Sequence, residues 1–177
     1  MPAWVANRFQ QNLLSNNERW QRLKVFYGEI SQALEAAGLD FVVLKGFSHV
    51  PYFVASGCLR TQYDVDLLLP RELVRAAMDV ARSLGYQPIE GGDQHPIDHL
   101  PTLVLKTGSE WRGNYFDPEL PPALELHFRL WDPSTEGFAV PAVEEFWDRR
   151  ERRIVDDLEF PSLAAIDLEV ANRLRLR

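Results

Sequence analysis

Asp64 and Asp66 stand one residue apart at the head of the apolar run Leu67-Leu68-Leu69, and Glu125 interrupts a second apolar run, Leu124-Glu125-Leu126. In a β-strand residues i and i+2 share a face, so the two aspartates project together while Val65 points into the core. If the two runs are neighbouring strands, three carboxylates meet at one point. Three bare carboxylates that close repel one another and take up protons, so the arrangement calls for a cation between them. An all-oxygen ligand set suits Mg²⁺ or Mn²⁺, and a metal centre of this kind acts most often on phosphate esters. His127, two residues beyond Glu125, shares its face, either as a substrate contact or support for the ligands, or as a hydrogen-bonded structural histidine.

The elements that must position these groups are legible from periodicity. From Asn17 onward Trp20, Leu23, Tyr27, Ile30 and Leu34 recur at spacings of three and four, and Gly38 stands where a C-terminal cap belongs, which predicts an amphipathic helix. Phe41-Val42-Val43-Leu44 reads as a short buried strand. It runs into Lys45-Gly46-Phe47-Ser48, where Gly46 permits a sharp strand-to-helix turn, and a short helix with Pro51 in its first turn is expected next. Residues 64–69 form the second strand, closed by Pro70, and 71–84 a helix closed by Gly85. Strands are expected over 102–106 and 123–130, separated by a loop rich in Pro, Gly and Asn, and helices over 142–153 and 163–176. Alternating helices and strands predict an α/β (α+β) fold, a mixed sheet with helices packed on it.

Taken in order, Leu44-Lys45-Gly46, then Arg60-Thr61-Gln62-Tyr63-Asp64-Val65-Asp66-Leu67-Leu68, then Leu124-Glu125-Leu126-His127 resembles the uncharacterised nucleotidyltransferase-like family of the polymerase β-type nucleotidyltransferase superfamily. The resemblance runs from the first helix to the neighbourhood of Asp148. It implies a nucleotidyltransferase-like domain over 1–153, followed by a short helical tail over 154–177. It also implies an enzyme passing a nucleoside monophosphate from a nucleoside triphosphate, ATP among them, to a hydroxyl of a small molecule or a protein. By the same resemblance Asp64, Asp66 and Glu125 are the catalytic carboxylates and ligands of Mg²⁺ or Mn²⁺. Gly46 and Ser48 match the glycine-serine turn beneath the nucleotide phosphates, and Lys45 and Arg60 match phosphate contacts. Backbone N–H groups at a helix start favour phosphate oxygens, and in-line phosphoryl transfer needs mainly positioning and charge. A noncatalytic binding module on the same fold, or an antitoxin-like protein acting on a partner protein, is the alternative.

Composition bounds these readings. A chain of 177 residues with 46% hydrophobic and 25% charged residues is of single-domain size and ordinary globular composition. A net charge of −7 argues against wholesale wrapping of nucleic acid. The single cysteine, Cys58, excludes an internal disulfide and a cysteine zinc cluster, and with no membrane-length apolar run or signal pattern a cytoplasmic protein is expected. His95-Pro96-Ile97-Asp98-His99 reads as a surface loop rather than a zinc site, Arg149 to Arg153 as a solvated helix face, and Trp111, Trp131 and Trp147 as packing residues.

Overall fold

A computed structural model describes residues 1–89, 98–105, 117 and 120–175. The expected first helix is α1, Ala3–Ala36, and its buried face carries Trp20, Leu23, Tyr27, Ile30 and Leu34 at the predicted spacing. β1 (Val42–Val43) leads into a 3₁₀ turn over Gly46–His49, and β2 follows at Asp64–Leu68. Then come α2 (Val74–Ser83), β3 (Tyr86–Pro88), β4 (Leu103–Leu105), β5 (Ala123–His127) and a one-turn α3 (Pro133–Glu136). A 3₁₀ turn over Val143–Trp147, the hairpin β6 (Glu151–Val155) and β7 (Leu158–Ser162), and α4 (Ala165–Arg175) complete the described chain. No helix among the described residues is long and apolar enough to cross a membrane.

The strands form one seven-stranded mixed sheet in the order β3-β4-β5-β2-β1-β7-β6, so β2 and β5 lie side by side at its centre. They run parallel, with Asp64 opposite Ala123, Asp66 opposite Glu125 and Leu68 opposite His127. Strand alternation sorts their side chains. Val65, Leu67, Leu124 and Leu126 all pack in the cluster built on α1 and α2. Leu68 instead joins Val42, Leu44, Leu163 and Leu168 in a second cluster on the other face, where α4 packs. Asp64, Asp66, Glu125 and His127 share the parity of that second face. One face is thus wholly core, and the other is divided between core and chemistry.

Two expectations change. The segment expected as a helix over 142–153 is a 3₁₀ turn followed by β6, whose pairing with β7 runs from Glu151↔Ser162 to Val155↔Leu158. Arg153 is therefore on a strand and buried, with its guanidinium donating to the backbone carbonyls of Ser48 (2.7 Å) and Val50. β7 joins the sheet by a parallel pairing with β1, Val43 opposite Ser162, and α4 adds Leu168 and Ala171 to the second cluster. The second change lies at the turn after β1: a single 3₁₀ turn stands where a helix was expected, and Pro51 falls beyond it. So short a turn aligns too few peptide dipoles to make a phosphate site by itself.

Phe47 anchors that turn. Its ring is fully buried 4.9 Å from Trp20, 5.5 Å from Tyr27 and 6.1 Å from Phe160, centroid to centroid. α1, the turn and β7 thus converge on one aromatic side chain. Replacing Phe47 by Ala leaves a cavity there and is expected to lower unfolding free energy by about 3–5 kcal/mol, with Phe47→Leu well below that, in urea denaturation. A loss below about 1 kcal/mol in Phe47→Ala would show that the turn is held by something else.

Candidate active site

The site is assembled by three backbone features. The parallel register of β2 and β5 sets Asp66 beside Glu125 on one face, and His127 follows Glu125 on that face two residues on. β1 lies on the other side of β2, where Leu44 N–H donates to Asp66 O (3.0 Å), and this brings Lys45 against the aspartate. On the far side Thr102, the residue before β4, donates its hydroxyl to Glu125 Oε1 at 3.1 Å.

Asp66 is the buried centre of the group, 1% exposed. Its Oδ1 accepts from Lys45 Nζ at 2.5 Å and lies 3.1 Å from His127 Nε2, while Oδ2 is buried with no hydrogen-bond partner among the described residues. His127 Nε2 is also 3.4 Å from Glu125 Oε2, and its Nδ1 is 3.7 Å from Asp98 Oδ2, a charge pair rather than a good hydrogen bond. Ligand atoms of Asp66, Glu125 and His127 all lie within 4.8 Å of one another. Asp64 sits two residues before Asp66 at the more open end of β2 and is half-buried.

The charges regulate one another. Burial, and then the charges of Asp66 and Glu125, push Asp64 up to about 6. Burial works against ionisation of Asp66 too, but the hydrogen bond from His127 and the Lys45 ammonium outweigh it and hold its carboxyl well below the ordinary range. Glu125 is lowered first by its hydrogen bond with His127. His127 rises to about 9 despite burial, because Asp66, Asp98 and Glu125 surround it. Without metal, Asp66 and Glu125 are thus answered by the protein's own ammonium and imidazolium, and Asp64 is not.

The resemblance-derived phosphate residues divide. Lys45 is 29% exposed and already on Asp66. Arg60 is half-buried with an Nη1 that finds no hydrogen-bond partner, and its charge reaches His49 together with those of Asp66 and Lys45. Lys45 is thus the cation that meets the carboxylates directly, and Arg60 acts on His49. Ser48, by contrast, is fully buried and its hydroxyl donates to Leu44 O at 2.9 Å, so it braces the turn from within.

Several residues around the site were not singled out by the sequence. Gln62 is buried and its amide donates to Asp64 O at 2.7 Å; its place two residues before Asp64 was the available signal. Thr102 depended on strand register, and Asp98 and His99 on tertiary contact. His95, Pro96 and Ile97 of the predicted surface loop lie outside the described residues, as does Trp111. Asp98 and His99 depart from that reading: His99 makes an antiparallel backbone bridge to His127, and Phe128 N–H donates to Asp98 O at 2.9 Å. This short bridge overrides the loop-like composition of the segment.

Gly46 shows how closely the turn meets β2. Its φ is +61°, and a Cβ there would lie 1.9 Å from Gln62 Nε2. Gly46→Ala is expected to lower stability by about 1–3 kcal/mol. Adding Gln62→Ala should recover the part due to overlap but not the part due to φ, so that the two substitutions are non-additive in denaturation experiments. Strict additivity would place Gln62 elsewhere.

Comparison with known proteins comes to one result. No curated protein and no solved structure matches the chain. A family model described as an uncharacterised nucleotidyltransferase matches residues 1–171, nearly the whole chain and every residue of the site just described. The carboxylates on the two parallel central strands, the glycine turn and Lys45 all fall within the matched residues. The chain belongs to this family of nucleotidyltransferases.

Proposed function

We propose that this protein transfers a nucleoside monophosphate from a nucleoside triphosphate to a hydroxyl group of a small molecule or a protein, with a divalent cation held by Asp64, Asp66 and Glu125. The observation that carries the reading is Asp66. A buried carboxylate with one oxygen shared by Lys45 and His127 and the other left without a partner retains a lone pair that a cation would satisfy. The neighbouring donors, carboxylate oxygens and one imidazole nitrogen, suit such an ion. When bound, the cation polarises the phosphate oxygens and offsets the charge of the departing pyrophosphate.

The chain's own residues do the rest. Lys45 and Arg60 take the triphosphate oxygens, Lys45 by moving its ammonium from Asp66 to the phosphate. Gly46 lets the backbone of the turn approach, with Phe47 and Ser48 fixing it from inside. The acceptor oxygen forms its bond to the α-phosphorus as the bond from that phosphorus to the oxygen bridging to the β-phosphate breaks. Pyrophosphate leaves, and the hydroxyl proton passes to a carboxylate of the site. The stiffness of β2 and β5, central in the sheet, holds the carboxylates in place for this in-line geometry.

The Lys45–Asp66 contact also favours a second reading, in which the ammonium stands in for the cation and the domain serves a partner protein as a binding module without catalysis. The two readings differ in what binds. Calorimetric titration with Mg²⁺ and each ribonucleoside triphosphate is expected to show metal-dependent nucleotide binding in the wild type, and at least tenfold weaker binding (about 1.4 kcal/mol) in Asp66→Asn, with the fold retained by circular dichroism. Equal binding in the variant would remove Asp66 from the site, and no binding of any triphosphate by the wild type would favour the binding module.

Lys45→Ala makes a sharper prediction because its two effects have opposite signs. Losing the charge-assisted bond should leave Asp66 more available to metal, tightening Mn²⁺ binding in the absence of nucleotide by roughly tenfold. Losing a phosphate contact should weaken triphosphate binding by a similar factor. Movement of both affinities in the same direction would rule out the proposed transfer of the ammonium between carboxylate and phosphate.

A further inference from the structure

We infer that His127 gives up its Nε2 proton to solvent and binds the metal directly through that nitrogen, and that the site therefore prefers a first-row transition ion such as Mn²⁺ to Mg²⁺. The inference rests on the proposed metal-dependent reading and specifies its ligand set. Three observations carry it. First, the compact group of potential ligand atoms is Asp66, Glu125 and His127, within 4.8 Å of one another. Second, His127 Nε2 lies 3.1 Å from Asp66 Oδ1 and 3.4 Å from Glu125 Oε2, close to the ligand-to-ligand separation of about 3 Å that follows from six-coordination at roughly 2.1 Å. Third, Asp66 Oδ2 is buried without a hydrogen-bond partner among the described residues, although its residue is almost wholly enclosed.

The surroundings of the ring favour the same role. A metal-binding histidine commonly faces a carboxylate or carbonyl with its second nitrogen, which fixes the ring and leaves the first nitrogen for the ion. Here Asp98 Oδ2 is 3.7 Å from Nδ1, and backbone bonds hold Asp98 and His99 beside β5, Phe128 N–H donating to Asp98 O and His99 bridging to His127. The ring is 1% exposed, so its plane is set by the fold. Thr102 fixes Glu125 as well, its hydroxyl donating to Oε1 and leaving Oε2 toward the imidazole. Imidazole nitrogen is a poor ligand for Mg²⁺, which demands oxygen and keeps much of its water, and a good one for later divalent ions. An imidazole among the carboxylates thus biases the site away from Mg²⁺.

The test uses the whole chain and metal alone. Mn²⁺ added to the wild-type protein is examined by electron spin-echo envelope modulation, once at natural abundance and once with ¹⁵N-histidine incorporated. A directly bound imidazole gives a ¹⁴N modulation that changes to the ¹⁵N pattern on labelling, and this reading needs no variant to fold. His127→Gln should abolish the modulation and weaken Mn²⁺ binding more than roughly tenfold while changing Mg²⁺ binding much less; His99→Gln should preserve it. By calorimetry Mn²⁺ should bind the wild type at least tenfold more tightly than Mg²⁺. Bound Mn²⁺ with no histidine modulation, modulation surviving in His127→Gln, or equal affinity for the two ions would overturn the inference, and the proposed function would still stand on Asp66 and the triphosphates. Failure of both ions to bind, with or without triphosphate, would overturn both.

Discussion

A charge buried in the middle of the sheet organises this molecule. Asp66 stays ionised at 1% exposure, where desolvation alone would protonate it, and only nearby positive charge and hydrogen bonding reverse that balance. Lys45 and His127 supply both, and each reaches Asp66 through a different neighbour of β2. Lys45 comes from the end of β1, held by the bond from Leu44 N–H to Asp66 O, and His127 comes from β5 through the parallel register. A shift of one residue in either pairing would turn the partner to the opposite face and leave the carboxylate uncompensated in an apolar core. The electrostatics of the site and the register of the sheet are therefore one constraint.

The same alternation explains how a single sheet serves both stability and chemistry. Val65, Leu67, Leu124 and Leu126 bury one face of β2 and β5 against α1 and α2, which frees the opposite face of the same residues' neighbours for polar groups. That second face is not given over to the site alone, because Leu68 and the residues around α4 fill part of it. The turn after β1 belongs to both sides. Phe47 enters the aromatic cluster of the first face, while Lys45, two residues earlier, reaches the carboxylate on the second. Arg153 ties the turn to β6 from behind, bonding the carbonyls that leave it.

These features explain what could and could not be read from the sequence. Period-two alternation in Asp64-Val65-Asp66-Leu67 and Leu124-Glu125-Leu126-His127 specifies strand faces directly, and period-3.6 spacing in α1 is equally direct, so the central strands and the long helix were legible. The mixed sheet with helices packed on it follows from their order. The β6–β7 hairpin was not legible, because Glu151-Arg152-Arg153-Ile154-Val155 is charged on its exposed side and its buried Arg153 is satisfied by carbonyls a hundred residues away. Asp98 and His99 were hidden for a similar reason: their composition is that of a loop, and only the backbone bridge to His127 draws them to the site. Gly46 was legible as a turn, yet its reason, the closeness of Gln62, is a tertiary fact. Local pattern reveals faces and periods, and it is silent where a buried polar group is answered from a distant part of the chain.

Under the proposed function, the internal compensation has a consequence for how ligands arrive. A site with three carboxylates and no countercharge would be forced apart or protonated until metal bound, and would have to reorganise at each turnover. Here Lys45 and His127 hold the carboxylates close in advance, at distances near those a cation itself would impose. Arrival of metal and triphosphate then exchanges one set of cations for another. The ammonium released from Asp66 meets phosphate oxygens, so that neither its charge nor that of the carboxylate is left uncompensated. The movement falls on the Lys45 side chain, 29% exposed, just beyond a short strand, while β2 and β5 hold Asp66 and His127 in place. Electrostatic preorganisation of this kind needs fixed strands and a lysine that can move, and the fold buries Asp66 and His127 while leaving the Lys45 side chain partly exposed.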